Sequence, residues 1–172
     1  VGGHSLDFDV HVVGIVGDTG EAIEPSEAAG FVLGYALLLQ LYDTELEDES
    51  RALDLPIGAS HDFGVALGPY LTTPEDLTEF RVGNNPTNFG WNYRMRVNDV
   101  EVATGMDESD LPFSALLSFA SSWRAVHAGE VLGWPRLAKK PLSDTPLQRQ
   151  LLPSDRIEVT IDGLGTLVAR IA

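Results

Sequence analysis

Leu6-Asp7-Phe8-Asp9-Val10-His11-Val12-Val13-Gly14-Ile15-Val16-Gly17 is the stretch on which the reading of the fold turns. From Asp7 to Val16 it alternates and then turns continuously apolar, and Gly17-Asp18-Thr19-Gly20 closes it, the pattern of a strand entering a turn. Side chains of a strand alternate with period two, so Asp9 and His11 share one face. The far end of the chain is built the same way: Asp155 to Ile161, the glycine turn Asp162-Gly163-Leu164-Gly165, and Thr166 to Ile171 read as strand, turn and strand. Working inward, Gly64 to Thr73 is a buried-type strand, and Trp91 to Val97 and Glu101 to Ala103 flank Asn98-Asp99 as a hairpin lacking the favoured glycine. Helical signals are fewer. Pro25-Ser26-Glu27-Ala28-Ala29 starts a helix that leads into the apolar run Phe31 to Leu41, read as helix into strand, and Leu111-Pro112-Phe113 opens an amphipathic helix through Trp123. The acidic run from Asp43 to Asp54 is a solvated surface segment, and Arg81 to Asn92 and Gly133 to Gln150 are irregular by composition. The fold class is therefore mainly β with a few helices (α+β). With no repeat and no low-complexity linker, residues 1–172 are expected to form a single domain.

Composition narrows the function classes. Hydrophobic residues make up 44% and charged residues 22%, ordinary globular usage. The formal net charge of -15 repels a phosphate backbone and gives no footprint for nucleic acid or anionic lipid, while saying little about the expected small-molecule substrate. There is no cysteine, which removes disulfides, thiolate zinc sites and cysteine nucleophiles and fits a cytoplasmic location. No signal peptide is expected, and the longest apolar stretch, Phe31 to Leu41, is interrupted by Gly34 and Gln40 and falls far short of the roughly 20 residues needed to cross a bilayer. No Gly-x-Ser-x-Gly, P-loop or dinucleotide fingerprint occurs, so nucleophile-elbow hydrolysis and nucleotide chemistry lack support.

Five segments in order carry a resemblance. Leu6 to Gly17 resembles the opening catalytic strand of the fumarylacetoacetate hydrolase family, with its Glu-x-Glu pair, and Gly34-Tyr35 resembles the start of the family's GYT-hydrophobic-ND segment. Asp62-Phe63-Gly64-Val65-Ala66-Leu67-Gly68-Pro69-Tyr70-Leu71 is similar to its DF-LGPW strand, Arg96-Val97-Asn98-Asp99 to its RVNG hairpin, and Asp155 to Leu167 to its GDxVEVxIEGLGxL ending. The resemblance spans nearly the whole chain. It implies a mixed β-sheet roll of the family's type, assembled as a homodimer, and a chemistry in which Mg or Mn held on carboxylates polarises the oxygens of a 2-oxo or 1,3-dicarbonyl compound.

Ligand by ligand, the resemblance implies an overwritten metal site. The Glu-x-Glu pair falls on Asp9 and His11, and the aspartate of the ND segment falls on Gln40. The family lysine three positions before Asp62 falls on Ala59, with His61 adjacent to Asp62. The family's Gly-Thr-x-x-Gly loop beyond Val131-Leu132-Gly133 is replaced by Trp134-Pro135-Arg136-Leu137-Ala138, and the family's upstream lid segment is expected to be missing. Three ligand positions thus carry a charge of -1 instead of -3, poorly suited to Mg. No metal is the expectation, with Mg or Mn an alternative if the ligands have shifted onto Asp43 and Glu45. Zn on His11 is a further option, with Gln40 a poor third ligand.

The candidate catalytic set is Asp9 with His11 as a proton-transfer pair and His61 as a second acid or base. Tyr35, Gln40, Tyr42, Arg94 and Trp134 are the candidate substrate-binding residues, Arg94 because alternating arginines can grip a carboxylate. Polar residues bonded to one another in a former metal cavity are the simpler alternative for Asp9 and His11, and surface pairing is the simpler one for Arg94 and Arg96. His4, near a frayed terminus, and His127, after a helix, are expected to be exposed and inert. Two classes of function follow. One is an enzyme working on an enolisable carbonyl or polyketide-like compound by metal-independent acid-base catalysis of lyase, isomerase or cyclase type. The other is a catalytically silent binding or scaffold protein on the same fold. A third alternative, within the enzyme class, is a conventional metal-dependent C–C hydrolase or hydratase with ligands shifted onto Asp43 and Glu45.

Overall fold

A computed structural model of the chain describes residues 4–107, 111–138 and 140–172. Eight strands form two four-stranded sheets. The first holds β1 (Leu6–Val16), β2 (Val32–Asp43), β3 (Gly64–Thr72) and β6 (Val131–Gly133) in the order β3-β2-β1-β6. The second holds β4 (Trp91–Val97), β5 (Val100–Asp107), β7 (Arg156–Ile161) and β8 (Gly165–Arg170) in the order β5-β4-β7-β8. The mainly β class is as expected. Every ladder among the described strands is antiparallel, so antiparallel pairs alone build what the family resemblance implied as a mixed sheet.

Period-two alternation decides what each sheet buries. Phe8, Val10, Val12, Leu37 and Leu39 of the first sheet meet Trp91, Met95, Ile157, Val159 and Ile161 of the second in one core. Each such aliphatic side chain contributes roughly 1.5–3 kcal/mol of transfer free energy, an upper figure because unfolded chains already bury some surface.

Helix α1 (Thr44–Ala52) is where the acidic run goes. Asp43 caps it, accepting from Glu45 N and Leu46 N, and Glu45 and Glu47 sit in its first turn where the helix dipole favours negative charge. Helix α2 (Phe113–Ser121) buries Phe113 and Leu117. It packs close to β1 because residue 14 is glycine: a Cβ there would lie 2.3 Å from the Phe113 ring. The run expected as helix into strand is almost all strand, with only a short 3-10 turn at Ala28–Phe31 before β2 begins. The run is continuously apolar rather than striped at helical spacing, and it carries Phe31, Val32 and Tyr35, which suits a buried strand better than a helix. No helix among the described residues is long and apolar enough to cross a membrane.

Candidate functional site

The same alternation that fills the core sends Asp7, Asp9, His11 and Val13 to the outer face of β1. In the β1–β2 ladder Asp7 stands opposite Tyr42, Asp9 opposite Gln40 and His11 opposite Leu38, so these six side chains share one face. On the other side of β1, the chain after β6 stays alongside through Trp134 N to Val12 O (3.0 Å) and Leu137 N to Val10 O (2.9 Å). That path places the Trp134 carbonyl beside His11 and the Arg136 side chain beside Asp9.

His11 Nδ1 lies 2.8 Å from the Trp134 carbonyl oxygen. A carbonyl only accepts, so Nδ1 carries the proton and Nε2 of the neutral ring is a lone-pair acceptor. The ring borders a cleft of about 320 Å³ whose walls include Val13, Leu38, Gln40, Val65 and Trp134. Arg136 Nη1 is 3.3 Å from Asp9 Oδ1. Gln40 Nε2 donates to the His61 carbonyl at 3.2 Å, leaving its own carbonyl oxygen outside that bond. The His61 ring stacks on Tyr42, centroids 5.2 Å apart and planes within 11°, and its Nδ1 is 2.9 Å from Ser60 Oγ.

The electrostatics favour neutral phenol and weakened acidity around this set. Burial pushes the Tyr42 hydroxyl pKa well up, and the charges of Asp7 and Asp9 add to it, so the phenol stays protonated as a donor. Burial also raises Asp7, only partly opposed by the backbone N–H groups of Leu142 and Phe8. Burial lowers the Arg136 pKa, but the Asp9 carboxylate outweighs it and holds the guanidinium more firmly charged.

Several expectations are corrected. Asp9 and His11 share a face but not a bond: Asp9 pairs with Arg136 and His11 with a main-chain carbonyl. Tyr35 is fully buried on the opposite, core face of β2, against Phe89, Phe113 and Trp134, because it is five residues from Gln40 and an odd offset reverses the face. Its hydroxyl has no hydrogen-bond partner among the described residues. Arg94 lies on the outer side of the second sheet, paired with Glu101 at 3.3 Å, with the core between it and His11. Trp134 is mostly core, its indole N–H donating to Leu111 O at 2.7 Å, with one edge reaching the cleft. Asp43 and Glu45, the alternative ligands, are turned to other partners. Asp43 stands opposite Leu6 on the other face parity, capping α1 and bonding His4 Nδ1 at 2.6 Å, while Glu45 accepts from Ser5. His4, expected to be inert, is that partner and also meets the Phe63 ring edge-on. His61 reaches Gln40 through its carbonyl rather than its ring.

Arg136 is the residue at this face that sequence reasoning did not single out. It was visible as one of only 11 basic residues, in the replaced loop, two positions after an aromatic. The irregular edge pairing that aims it at Asp9 leaves no periodic signal. A divalent metal does not fit this set. One carboxylate, one imidazole and one amide occupy the three positions, and a guanidinium already stands on the carboxylate. Among the described residues no three His, Asp or Glu side chains converge as a metal centre.

Two facing antiparallel sheets with a polar cluster on an outer face define a β-roll domain. The chain belongs to the fumarylacetoacetate hydrolase family: the family model described as fumarylacetoacetate (FAA) hydrolase C-terminal matches residues 2–172. An uncharacterized protein of Staphylococcus aureus strain USA300 is 28% identical over 167 residues, 97% of this chain and 52% of that protein. The chain therefore spans about half the length of the curated relatives it matches. Among solved structures it is similar to the fumarylpyruvate hydrolase of Pseudomonas aeruginosa in complex with Mn2+ and pyruvate, with a TM-score of 0.74 and 19% identity, covering 97% of this chain and 66% of that one. It is also similar to the fumarylacetoacetate hydrolase of psychrophilic Exiguobacterium antarcticum, with a TM-score of 0.78 and 21% identity, covering 97% and 56%. At these identities the likeness shows the fold.

Proposed function

We propose that this domain acts on an enolisable carbonyl compound, a 2-oxo or 1,3-dicarbonyl acid or a polyketide-like relative, by metal-independent acid-base catalysis. The observation that carries this reading is the His11 tautomer: with Nδ1–H held by the Trp134 carbonyl, Nε2 is the ring's acceptor at the wall of the cleft. His11 Nε2 removes the proton α to the carbonyl. The Gln40 amide, on the same cleft as His11, supplies a hydrogen bond to the developing oxyanion. His61, stacked on Tyr42 whose hydroxyl hydrogen-bonds Asp7 in the adjoining hollow, is the second acid. Val13, Leu38 and Val65 give the cleft an apolar wall that suits an alkyl or aryl chain more than a second carboxylate. The Pseudomonas relative's pyruvate complex is consistent with a 2-oxo acid as the class of compound.

Steady-state assays of C–C cleavage, decarboxylation and keto-enol conversion on a panel of acylpyruvates test the reading. His11→Gln is expected to lower kcat by about 10²–10⁴ with the fold intact by circular dichroism. Turnover that survives His11→Gln unchanged would contradict the role given to His11, and no turnover of any enolisable acid would leave the domain as the silent binding protein of the second functional class.

A further inference from the structure

We infer that Arg136 supplies the positive charge of this site, so that the outer face of β1 takes a ligand bearing a carboxylate or enolate oxygen with no divalent ion. The inference rests on the reading of that face as the ligand site and adds the chemistry of what it binds.

Placement comes first. Main-chain bonds on either side of Arg136, Trp134 N to Val12 O and Leu137 N to Val10 O, pin its backbone along β1, which fixes where the side chain starts. The guanidinium then lies against Asp9, which itself stands across from Gln40 and two residues from His11, and it lines the hollow that adjoins the His11 cleft, with Asp7 and Tyr42. Donor supply comes next. A guanidinium has five N–H groups in a planar fork. One goes to Asp9 Oδ1, and the others have no protein partner among the described residues. With 43% of its side chain exposed, Arg136 is reachable by a ligand while still anchored.

Charge supports the same conclusion. A divalent ion on three carboxylates leaves a site of charge -1, whereas Asp9 and Arg136 cancel, so an approaching anion meets no greater repulsion here. The charged groups that line the hollow with Arg136 are Asp7, Glu47, Asp48 and Arg51; burial favours the uncharged form of Asp7, and Arg51 is paired with Glu47. The net charge of -15 is spread over the surface and is screened beyond about 10 Å at moderate salt. A planar fork matches a planar carboxylate or enediolate through two parallel hydrogen bonds, a geometry that a lysine at this position would not reproduce.

Oxalate, a planar dianion shaped like an enolised 2-oxo acid, is the probe. Titrated by calorimetry into metal-stripped protein in excess EDTA, it is expected to bind saturably. Arg136→Gln is expected to weaken it by about ten- to hundredfold, the worth of a charged hydrogen-bond pair. Asp9→Asn is expected to tighten it, because the guanidinium loses its competing carboxylate. An Arg136 that only braces the fold would not give that gain. Thermal midpoints of both variants verify folding, and Arg136→Lys, which keeps the charge and loses the fork, should fall between wild type and Arg136→Gln. Binding that appears only when Mn2+ is added, or that is unchanged in Arg136→Gln, overturns the inference. The two proposals fail separately. Arg136-dependent oxalate binding without turnover refutes the catalytic reading alone, and His11-dependent turnover with oxalate binding indifferent to Arg136 refutes this one alone.

Discussion

Asp155 shows how much a single well-partnered carboxylate contributes. It accepts two bonds from Arg149 (2.6 and 2.9 Å), one from Asn98 Nδ2 (2.9 Å) and one from Leu152 N (2.9 Å), and ties the β4–β5 hairpin turn to the start of β7. The Arg149 guanidinium, outweighing burial and helped by these donors, holds its pKa down to about 2. A depressed carboxylate pKa stabilises the fold at every pH above its unfolded value near 3.8 and ceases to do so as pH falls toward about 2. Urea denaturation should therefore show Asp155→Asn less stable than wild type by about 2 kcal/mol at neutral pH, with the two curves converging only as pH falls through about 2. Equal stability at neutral pH would contradict the assignment. At the outer face of β1, Asp9, His11 and Gln40 were legible residue by residue, because period two and the family pattern both place them on one surface, and the register sets Asp9 opposite Gln40. Tyr35 was misread although the same parity argument, applied to positions 35 and 40, sends it to the core. Arg136 was not legible as a partner of Asp9, since the two are 127 positions apart and joined by an edge segment outside the regular ladder.

At the scale of elements, small residues and caps decide how the pieces meet. Gly14→Ala would drive a methyl into the Phe113 ring, and overpacking of this kind costs roughly 1–3 kcal/mol. A drop in the urea midpoint of Gly14→Ala, partly recovered when Phe113 is also reduced to Leu, is the expected outcome. Asp43→Ala should cost about 1 kcal/mol through removal of the α1 cap, read by chemical denaturation, and it also takes away the carboxylate that His4 Nδ1 bonds. The existence of strands was legible from alternation at both ends of the chain, and the terminal glycine turn is strict in the structure. Gly163 and Gly165 have φ of 81° and 83°, and a Cβ on Gly163 would meet Leu77 at 2.7 Å. Helix α1 was missed because its polar, acidic sequence offers no apolar stripe. Its signals are instead a capping aspartate, acidic first-turn residues and the Glu47–Arg51 pair one turn apart.

For the whole molecule, the two sheets divide the labour. Their inner faces form one shared core, while the outer face of the first sheet gathers the polar set on a rigid β1–β2 pair, a support that holds side chains more firmly than a loop would. Family membership accounts for the scaffold, and the departures at positions 9, 11, 40 and 136 account for the chemistry proposed here. Under that chemistry the outer face of β1 moves a proton without a metal. Proton NMR of an acylpyruvate in D2O, with metal-stripped protein and EDTA present, reads this directly as disappearance of the C3 proton signal. C3 exchange is expected to run well above the protein-free rate, to be lowered about 10²–10⁴ by His11→Gln and to be unaltered by added Mn2+. Exchange that requires Mn2+, or that proceeds equally in His11→Gln, would contradict metal-free proton transfer at this face.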